Sequence, residues 1–447
     1  MSAAPLPQVD HLGDGFASRL SATSRRVGQE ALALVEKLYP FCRSLTGDGV
    51  RRTLAELRAV IPLEVHEAPT GSRAYDWTVP DEWNVRDAYV ADRSGRRVID
   101  FRAHSLHVAG YSAPVNARMA REELLKHVFT DPAHPDWIPY RHFYYRDGWA
   151  FCTRHRQLAE FDEAEYQVVI DATLKPGSLT YGELFLPGEE QGTILVSTHT
   201  CHPSLCNDNL SGIATATLLA RELMNSPRRL GVRFVFAPAT LGPLVWMSRN
   251  EHVLDGIRGG IVVANVGDRG NPTYMRSRRG AEGVDRAMAH VFAQLAPGKA
   301  SIRDFAPVGY DQRQYCSPGF NLPVGCLQRT PNGEYAEYHS SADDPRFVSA
   351  DALGNSWLLL RLVLHVLDED RTYLNLCPKG EPRLGPRGLF ADAERLGLFW
   401  ILNLSDGGHS LLDIAERSGV AFWRIREGAH RLEEAGLLRG IGEGAVQ

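Results

Sequence analysis

Two histidines and an aspartate follow a strand-like apolar run near the middle of the chain. Residues 194–196 are apolar and lead to His199 and His202, and Asp208 lies just ahead of a helical pattern that begins at Gly212. Strand ends in α/β proteins commonly carry metals and catalytic groups. Imidazole and carboxylate are zinc ligands, and a catalytic zinc keeps one coordination position open. The spacing therefore indicates a divalent metal site.

A purely structural interpretation of the same residues remains open. The two histidines could be hydrogen-bonded loop residues, with Cys201 and Cys206 as small buried hydrophobic residues. Histidine is both the commonest metal ligand and a frequent structural residue, so the two histidines alone do not decide between a metal site and a structural role. The neighbouring Asn207 and Asp208, set between a strand and a helix, favour the metal.

The composition limits the classes of protein to which the chain can belong. The chain has 447 residues, of which 44% are hydrophobic and 23% charged, as in globular proteins of two or three domains. The net charge of -5 gives no reason to expect a nucleic-acid partner or an anionic membrane. The first residues lack a signal-peptide pattern, and no apolar run reaches membrane-spanning length. Seven cysteines without a disulfide framework fit a reducing compartment, so we expect a cytoplasmic protein.

Periodicity divides the chain into three parts. Helical patterns near residues 21–39 and 50–60, together with alternating strands and helices from residue 182, predict an α/β core. The aromatic, strand-like stretch between them predicts an inserted β-rich domain. The predicted boundaries are residues 20–62 and 172–380 for the core, 63–171 for the insert and 385–447 for a C-terminal module.

The C-terminal module has three short helical patterns and resembles a winged helix. Arg424, Arg426 and Arg431 lie on the helix that would contact DNA in such a module. Acidic residues interleave with them and no basic arm accompanies the helix, which favours a packing or oligomerisation role. We therefore expect no nucleic-acid partner, and a homodimer fits this role.

Motifs spread along nearly the whole chain resemble a known family. Residues 207–212, 234–242 and 338–341 are similar to motifs of the co-catalytic zinc aminopeptidases. The resemblance is closer to a bacterial aminopeptidase-like family with an inserted β-rich domain and a C-terminal winged helix. Its phrases match at residues 76–80, 83–88, 105–111, 179–183, 201–204, 313–319 and 337–339. The resemblance implies a zinc-aminopeptidase-like mixed sheet flanked by helices and a small-molecule or peptide substrate.

The resemblance also implies the metal ligands. Asp208 matches the aspartate that bridges two metals in aminopeptidases, and His339 matches a distant histidine ligand. The first histidine is ambiguous, because the strand comparison selects His199 whereas the Cys-His-Pro-Ser phrase selects His202. We predict one zinc ion held by His202, Asp208 and His339, with His199 nearby as an auxiliary group.

Departures from the aminopeptidase pattern concern the catalytic base. Ala239 and Thr240 stand where aminopeptidases have a glutamate base and a carboxylate ligand, and Cys201 replaces the Asp of a His-x-Asp phrase. Alanine cannot accept a proton, and loss of a base typically costs about 10²–10⁴-fold in rate. Asp268 is the one candidate to compensate at a second metal position.

The remaining polar residues supply catalytic and substrate-binding candidates. We predict catalytic roles for His199, Asp311 and Arg313, and substrate binding by Arg313, Tyr315 and Glu337, because arginine offers a bidentate fork to a carboxylate. A structural salt bridge from Arg313 to Asp311 or Asp343 is the alternative.

Three functional hypotheses follow. The preferred one is a divergent zinc-dependent enzyme that acts on an amide or amino-acid-derived small molecule in a biosynthetic pathway, without the usual peptidase base. The alternative is a catalytically silent protein that binds peptides or a partner. A DNA-binding regulator is disfavoured by the acidic composition. In either of the first two, we expect a residue of the insert, such as one at 76–80 or 104–107, to contact the metal cleft.

Overall fold

The computed structural model describes residues 16–441, and its helices lie close to the predicted ones. The first helix of the prediction, at 21–39, is observed at Phe16–Leu38, and the second, at 50–60, is observed at Asp48–Arg58. The helices are α1 (Phe16–Leu38), α2 (Asp48–Arg58), α3 (Arg121–Leu125), α4 (Ser211–Leu223), α5 (Leu241–Arg249), α6 (Glu251–Leu254), α7 (Gly283–Leu295), α8 (Gln312–Tyr315), α9 (Ala350–Glu369), α10 (Leu398–Leu404), α11 (Leu411–Ser418) and α12 (Phe422–Glu434).

The strands form one large sheet and several small ones. They are β1 (Glu64–Pro69), β2 (Arg73–Ala74), β3 (Trp77–Thr78), β4 (Glu82–Ala91), β5 (Arg97–Asp100), β6 (Val115–Ala120), β7 (Val128–Phe129), β8 (Phe151–Cys152), β9 (Glu165–Lys175), β10 (Ser178–Leu186), β11 (Thr193–His199), β12 (Gly231–Ala237), β13 (Ile257–Val263), β14 (Thr273–Met275), β15 (Ser301–Arg303), β16 (Val324–Gln328), β17 (Thr372–Asn375), β18 (Asp406–Ser410) and β19 (Leu438–Ile441).

The large sheet has eight strands in the order β1-β10-β12-β11-β13-β16-β14-β15. Its centre, β12-β11-β13-β16, is parallel. β10 pairs antiparallel with β1 and β12, and β14 pairs antiparallel with β16 but parallel with β15. Six of the seven residues of β11 are buried, which fits its apolar sequence, because a central parallel strand is covered on both faces. The predicted mixed sheet flanked by helices is confirmed.

The insert is built on a four-stranded antiparallel sheet in the order β5-β4-β9-β6. Along β9 buried and half-buried residues alternate, as expected for a strand with one face towards a core. The predicted insert began at residue 63, but β1 hydrogen-bonds to β10 and so belongs to the large sheet.

The C-terminal module contains α10, α11 and α12 with a small sheet in the order β18-β17-β19. The prediction placed residues up to 380 in the core, whereas β17 pairs with both β18 and β19 and thus belongs to this module. Residues 442–447 of the predicted module lie outside the described residues.

Helix α9 is a core helix of the α/β unit. Within the described part of the chain it is the one helix long and apolar enough to cross a membrane by length and composition, but 72% of its apolar window is buried in the structure. It packs against α1, α4 and α7.

Candidate metal centre

The carboxyl ends of the parallel strands meet at one edge of the sheet, and the predicted ligands lie there. His199 is the last residue of β11 and pairs in register with Ala237 of β12. Ala239 therefore follows at the same edge, next to the loop that carries Asp208. Ligands of open α/β sheets bind outside the carboxyl ends of the strands.

Asp208 is fully buried, and its two oxygens face three imidazole rings. Its Oδ2 lies 3.0 Å from His339 Nε2 and 3.6 Å from His202 Nε2, and its Oδ1 lies 3.0 Å from His199 Nε2. The ligand atoms offered by His202, Asp208 and His339 all lie within 4.8 Å of one another. The structure thus brings the three predicted ligands together and sets His199 on the opposite oxygen of the carboxylate.

The donor set fits a metal ion. His199 Nε2, His339 Nε2 and Asp208 Oδ2 are buried and make no hydrogen bond of normal geometry, although they lie so close together. Folded proteins leave few buried polar atoms without a partner. Two imidazoles and one carboxylate form a common catalytic-zinc ligand set, so a cation would satisfy atoms that otherwise lack a partner.

Burial and charge set the protonation of this cluster. Burial lowers the pKa of His202 well below its ordinary value, which keeps the ring neutral. Burial also opposes a charge on His199, but Asp208 and Cys201 outweigh it and raise the pKa of His199 to about 10. For Asp208 burial is outweighed by His202, His199 and His339, which hold its pKa well below the ordinary value. A neutral imidazole and an ionised carboxylate are the forms that bind a metal.

Two residues that were not predicted hold Asp208 in place. The carboxylate of Asp343 accepts the backbone N–H groups of Asn207, at 2.6 Å, and of Asp208, at 2.9 Å. The Tyr310 hydroxyl donates to Asp208 Oδ1 at 3.1 Å. Sequence spacing gives little signal for Asp343, because it acts on backbone groups 135 residues earlier in the chain.

Asp311, a predicted catalytic residue, is a buried carboxyl group without a partner. It is fully buried, and neither oxygen makes a hydrogen bond. Burial raises its pKa to about 6, while the charges of His199 and Arg313 act in the opposite direction. Arg313 is half-buried and forms no salt bridge with Asp311 or Asp343, so the structural alternative for it is not observed among the described residues.

The predicted substrate-binding residues lie in different surroundings. Tyr315 is fully buried, and its hydroxyl lies 2.9 Å from Ser197 Oγ, beneath the sheet edge. Glu337 lines a cavity of about 510 Å³ together with Trp137 and Arg154 of the insert. The structure thus does not bring Tyr315 and Glu337 to a common surface.

The insert forms one wall of the metal cleft. The Tyr140 ring centroid lies 5.0 Å from that of His339 and 5.1 Å from that of His202. The Tyr140 backbone N–H donates to the His339 carbonyl at 2.7 Å, and its hydroxyl lies 2.6 Å from that of Tyr144. The expected contact between insert and cleft is confirmed. It is made by Tyr140, whereas the His104 ring contacts Tyr39.

Asp268, the candidate to compensate at a second metal position, is engaged in hydrogen bonds. Its oxygens accept hydrogen bonds from Asn207 Nδ2 at 3.0 Å and from Thr330 Oγ1 at 2.7 Å. It therefore supports the loop that carries Asp208. Ala239 contributes only its carbonyl, which lies 3.6 Å from Cys201 Sγ.

Comparison with known proteins identifies the two parts of the chain. Residues 32–370 match the model of a domain of unknown function, DUF4910, and residues 371–440 match a winged helix-turn-helix. A protein of Clostridium acetobutylicum, provisionally named as a polysaccharide biosynthesis protein with an aminopeptidase-like domain, is 43% identical over 424 residues. The match covers 93% of this chain and 97% of that protein.

Solved structures agree with this assignment. A crystal structure from Clostridium acetobutylicum, provisionally named a peptidase, is 43% identical and superposes with a TM-score of 0.92 over 95% of this chain and 99% of that one. A zinc aminopeptidase of Bacillus subtilis, 13% identical, superposes with a TM-score of 0.56 over 76% of this chain and 95% of its own. The second likeness concerns the fold alone. The predicted aminopeptidase-like family and the C-terminal winged helix are confirmed.

Proposed function

The chain belongs to the aminopeptidase-like family of the domain DUF4910, and from this premise we propose that it is a divergent zinc-dependent enzyme. Its substrate would be an amide or amino-acid-derived small molecule of a biosynthetic pathway. The observation that carries the proposal is the buried Asp208 carboxylate, which faces the imidazole nitrogens of His199, His202 and His339 at the carboxyl ends of the strands. Two of these nitrogens, His199 Nε2 and His339 Nε2, lack a hydrogen-bond partner.

In this proposal His202, Asp208 and His339 hold the zinc ion. A zinc ion there would supply Lewis acidity for a substrate carbonyl. Asp343 fixes the Asp208 loop through two backbone N–H groups, and Tyr140 covers the cleft and limits access of water. Such supporting contacts set the orientation of ligands, and their loss typically weakens metal binding by about 10–100-fold.

Asp311 is our candidate to move the proton that an aminopeptidase would pass to its glutamate. Ala239 cannot take that role, and Asp311 has both oxygens free with a pKa near 6. A group that titrates near neutral pH can both accept and return a proton. His199 lies 3.0 Å from Asp208 Oδ1, and its charge also acts on Asp311. It would keep Asp208 ionised and favour the ionised form of Asp311.

A catalytically silent binding protein is the second candidate. Ala239 and Thr240 at the end of β12 favour it, because no carboxylate stands where aminopeptidases have their base. Peptides or a partner protein would then occupy the retained cleft without reaction.

Metal content and turnover together distinguish the two candidates. We expect purified protein saturated with zinc to bind one ion per chain, and His202→Ala and His339→Ala to lose it. We expect slow turnover of aminoacyl anilides and faster turnover of an amide from the cognate pathway. Absence of zinc binding contradicts the enzyme proposal. Zinc binding without turnover of a broad amide library favours the silent binder.

The winged helix serves for packing in this proposal. The N-terminal backbone of α12 is covered by the core, where the Phe422 N–H donates to His290 Nε2 at 3.0 Å. Recognition helices contact bases with this end. Arg426 pairs with Glu369 at 2.6 Å, Arg431 pairs with Asp392, and Arg424 has a contact of its own. These contacts support the prediction of no nucleic-acid partner.

The predicted compartment and assembly belong to the same proposal. All seven cysteines lie within the described residues and none forms a disulfide, which supports a reducing cytoplasm. A homodimer remains our prediction for the assembly, to be measured by light scattering.

A further inference from the structure

An aromatic cavity of about 490 Å³ lies in the insert. Its lining includes the rings of Tyr111, Phe143, Tyr144 and Tyr145. The volume falls within the range of about 300–1,000 Å³ that small-molecule sites occupy, and such sites combine aromatic walls with a few polar groups. The cavity therefore has the size and the aromatic lining of a ligand site.

Contacts behind the cavity hold its inner rings in place. The Tyr111 hydroxyl lies 2.5 Å from Thr46 Oγ1, and the Tyr111 ring stacks on Trp83 with 5.9 Å between the centroids. The Tyr144 ring meets Tyr111 edge-on at 5.4 Å, and its hydroxyl donates to the Cys201 carbonyl at 3.1 Å. Rings that are fixed before binding lose little conformational freedom when a ligand arrives.

Tyr145 differs from these inner rings, because it is not packed into the core of the insert. It is 57% exposed, and Leu174, which also lines the cavity, is 42% exposed. The ring of Trp77, 40% exposed, meets Tyr145 edge-on at 5.4 Å and extends the patch. Exposed apolar patches with polar surroundings are typical of binding sites.

Charged side chains supply the polar surroundings. Asp81, Arg146 and Asp147 line the same cavity, and none of them forms an ion pair within the part of the chain that the structure describes. The Arg146 guanidinium rests over the Phe143 ring, 5.2 Å from its centroid. Carboxylates accept hydrogen bonds and a guanidinium donates them. The cavity thus combines aromatic faces with hydrogen-bonding groups of both kinds.

A sugar ring has the complementary chemistry. Its faces present C–H groups, which pack against the electron-rich faces of aromatic rings, and its hydroxyl groups donate and accept hydrogen bonds around the edge. An aromatic ligand would match the rings but would offer no donors to Asp81 and Asp147. An anionic ligand would meet two like charges there. The lining therefore favours a neutral sugar.

The segment from Tyr140 to Tyr145 forms a wall of both the cavity and the metal cleft. The Tyr144 hydroxyl lies 2.6 Å from that of Tyr140, whose ring contacts His339. The Tyr145 side chain interacts with Thr240, just after β12 at the edge of the sheet. One extended molecule could therefore contact this segment from both spaces.

We propose that the cavity binds a sugar ring of the substrate while the amide of the same substrate occupies the metal cleft. Tyr145 packs against a face of the sugar in this arrangement, and Asp81 and Asp147 accept hydrogen bonds from its hydroxyl groups. The inference rests on the proposed function and narrows its substrate class to amides that carry a sugar residue.

The test compares the full-length protein with Tyr145→Ala, Tyr145→Phe and the control Trp400→Ala. Trp400 is a comparably exposed aromatic residue, at 44%, but it lies on α10 of the winged helix and outside the cavity. Methyl β-D-glucoside, methyl β-D-galactoside and N-acetyl-D-glucosamine are the sugar probes, and p-cresol is the aromatic probe. Saturation-transfer NMR and calorimetry measure binding after chelation of metals, so that no probe binds through zinc.

We expect at least one of the three sugars to bind the wild type and Trp400→Ala equally. Tyr145→Ala should weaken this binding about tenfold, because the sugar loses the ring that it packs against, whereas Tyr145→Phe should retain it. Binding of none of the sugars to the wild type, or equal binding to the wild type and Tyr145→Ala, overturns the proposal. Binding of p-cresol alone overturns the sugar assignment.

Two further readouts separate this inference from the proposed function. Failure of zinc binding or of turnover in the wild type contradicts the enzyme proposal and leaves the sugar titration of the chelated protein unaffected. Where turnover is found, Tyr145→Ala should lower kcat/KM for a sugar-bearing amide at least about tenfold more than for the same amide without the sugar. An equal loss for both substrates contradicts the inference.

Discussion

Replacement of Asp311 by asparagine should stabilise the protein and impair its activity. The carboxyl group is fully buried without a hydrogen-bond partner, so the folded chain bears the cost of its charge at neutral pH. Asparagine has nearly the same shape and carries no charge. We therefore expect Asp311→Asn to unfold at higher urea concentration than the wild type at pH 8.

The size of the effect follows from the pKa of Asp311. Burial raises it to about 6 from an ordinary 3.8. Because the folded-state pKa is the higher one, the folded chain binds the proton more tightly, and stability falls as pH rises from 3.8 through 6. A gap of about 2.2, at about 1.36 kcal/mol per unit, corresponds to about 3 kcal/mol at pH 8 and about 1 kcal/mol at pH 4.5.

Urea unfolding of the wild type and of Asp311→Asn at both pH values measures this difference. Asp285→Asn is the matched control, because Asp285 is also buried but accepts hydrogen bonds from Tyr274, at 3.0 Å, and from Ser277. It should lose stability at both pH values. The reasoning is refuted if Asp311→Asn is less stable than the wild type at pH 8, since the carboxylate would then have a structural partner.

Three other changes probe the metal centre and its walls. Asp343→Asn should weaken zinc affinity about 10–100-fold in a competition assay, because one backbone N–H of the Asp208 loop then faces an amide donor. Unchanged zinc affinity would show that Asp343 does not position the Asp208 loop. Ala239→Glu should raise any residual hydrolysis of aminoacyl anilides, and efficient cleavage by the unaltered protein would show that no base is missing. Tyr140→Ala should open the cleft beside His339 and raise KM more than it lowers kcat, whereas equal effects on both would contradict its role as a wall.

The fold could be predicted in most respects because its signals are local. The buried apolar run of β11 and the helical pattern of α4 determine the strand-loop-helix unit around Asp208. The spacing of the motifs identified the aminopeptidase-like family. The boundaries between the core and the insert were harder to predict from the sequence. β1 lies beyond residue 62, where the first core segment was predicted to end. Its partner β10 begins at Ser178, 109 residues after Pro69 at the end of β1, and periodicity does not encode such a pairing.

The site could be predicted as a set of residue types but not as a set of contacts. His202, Asp208 and His339 lie together as expected from the motifs, whereas Tyr315 has the right chemistry and points its hydroxyl to Ser197. Asp343 escaped prediction because it acts on the backbone N–H groups of Asn207 and Asp208, far away in the sequence. Asp268 has the right chemistry for a second metal position. Only the three-dimensional contacts reveal that Asn207 and Thr330 already engage its oxygens, and no sequence pattern encodes such contacts between distant residues.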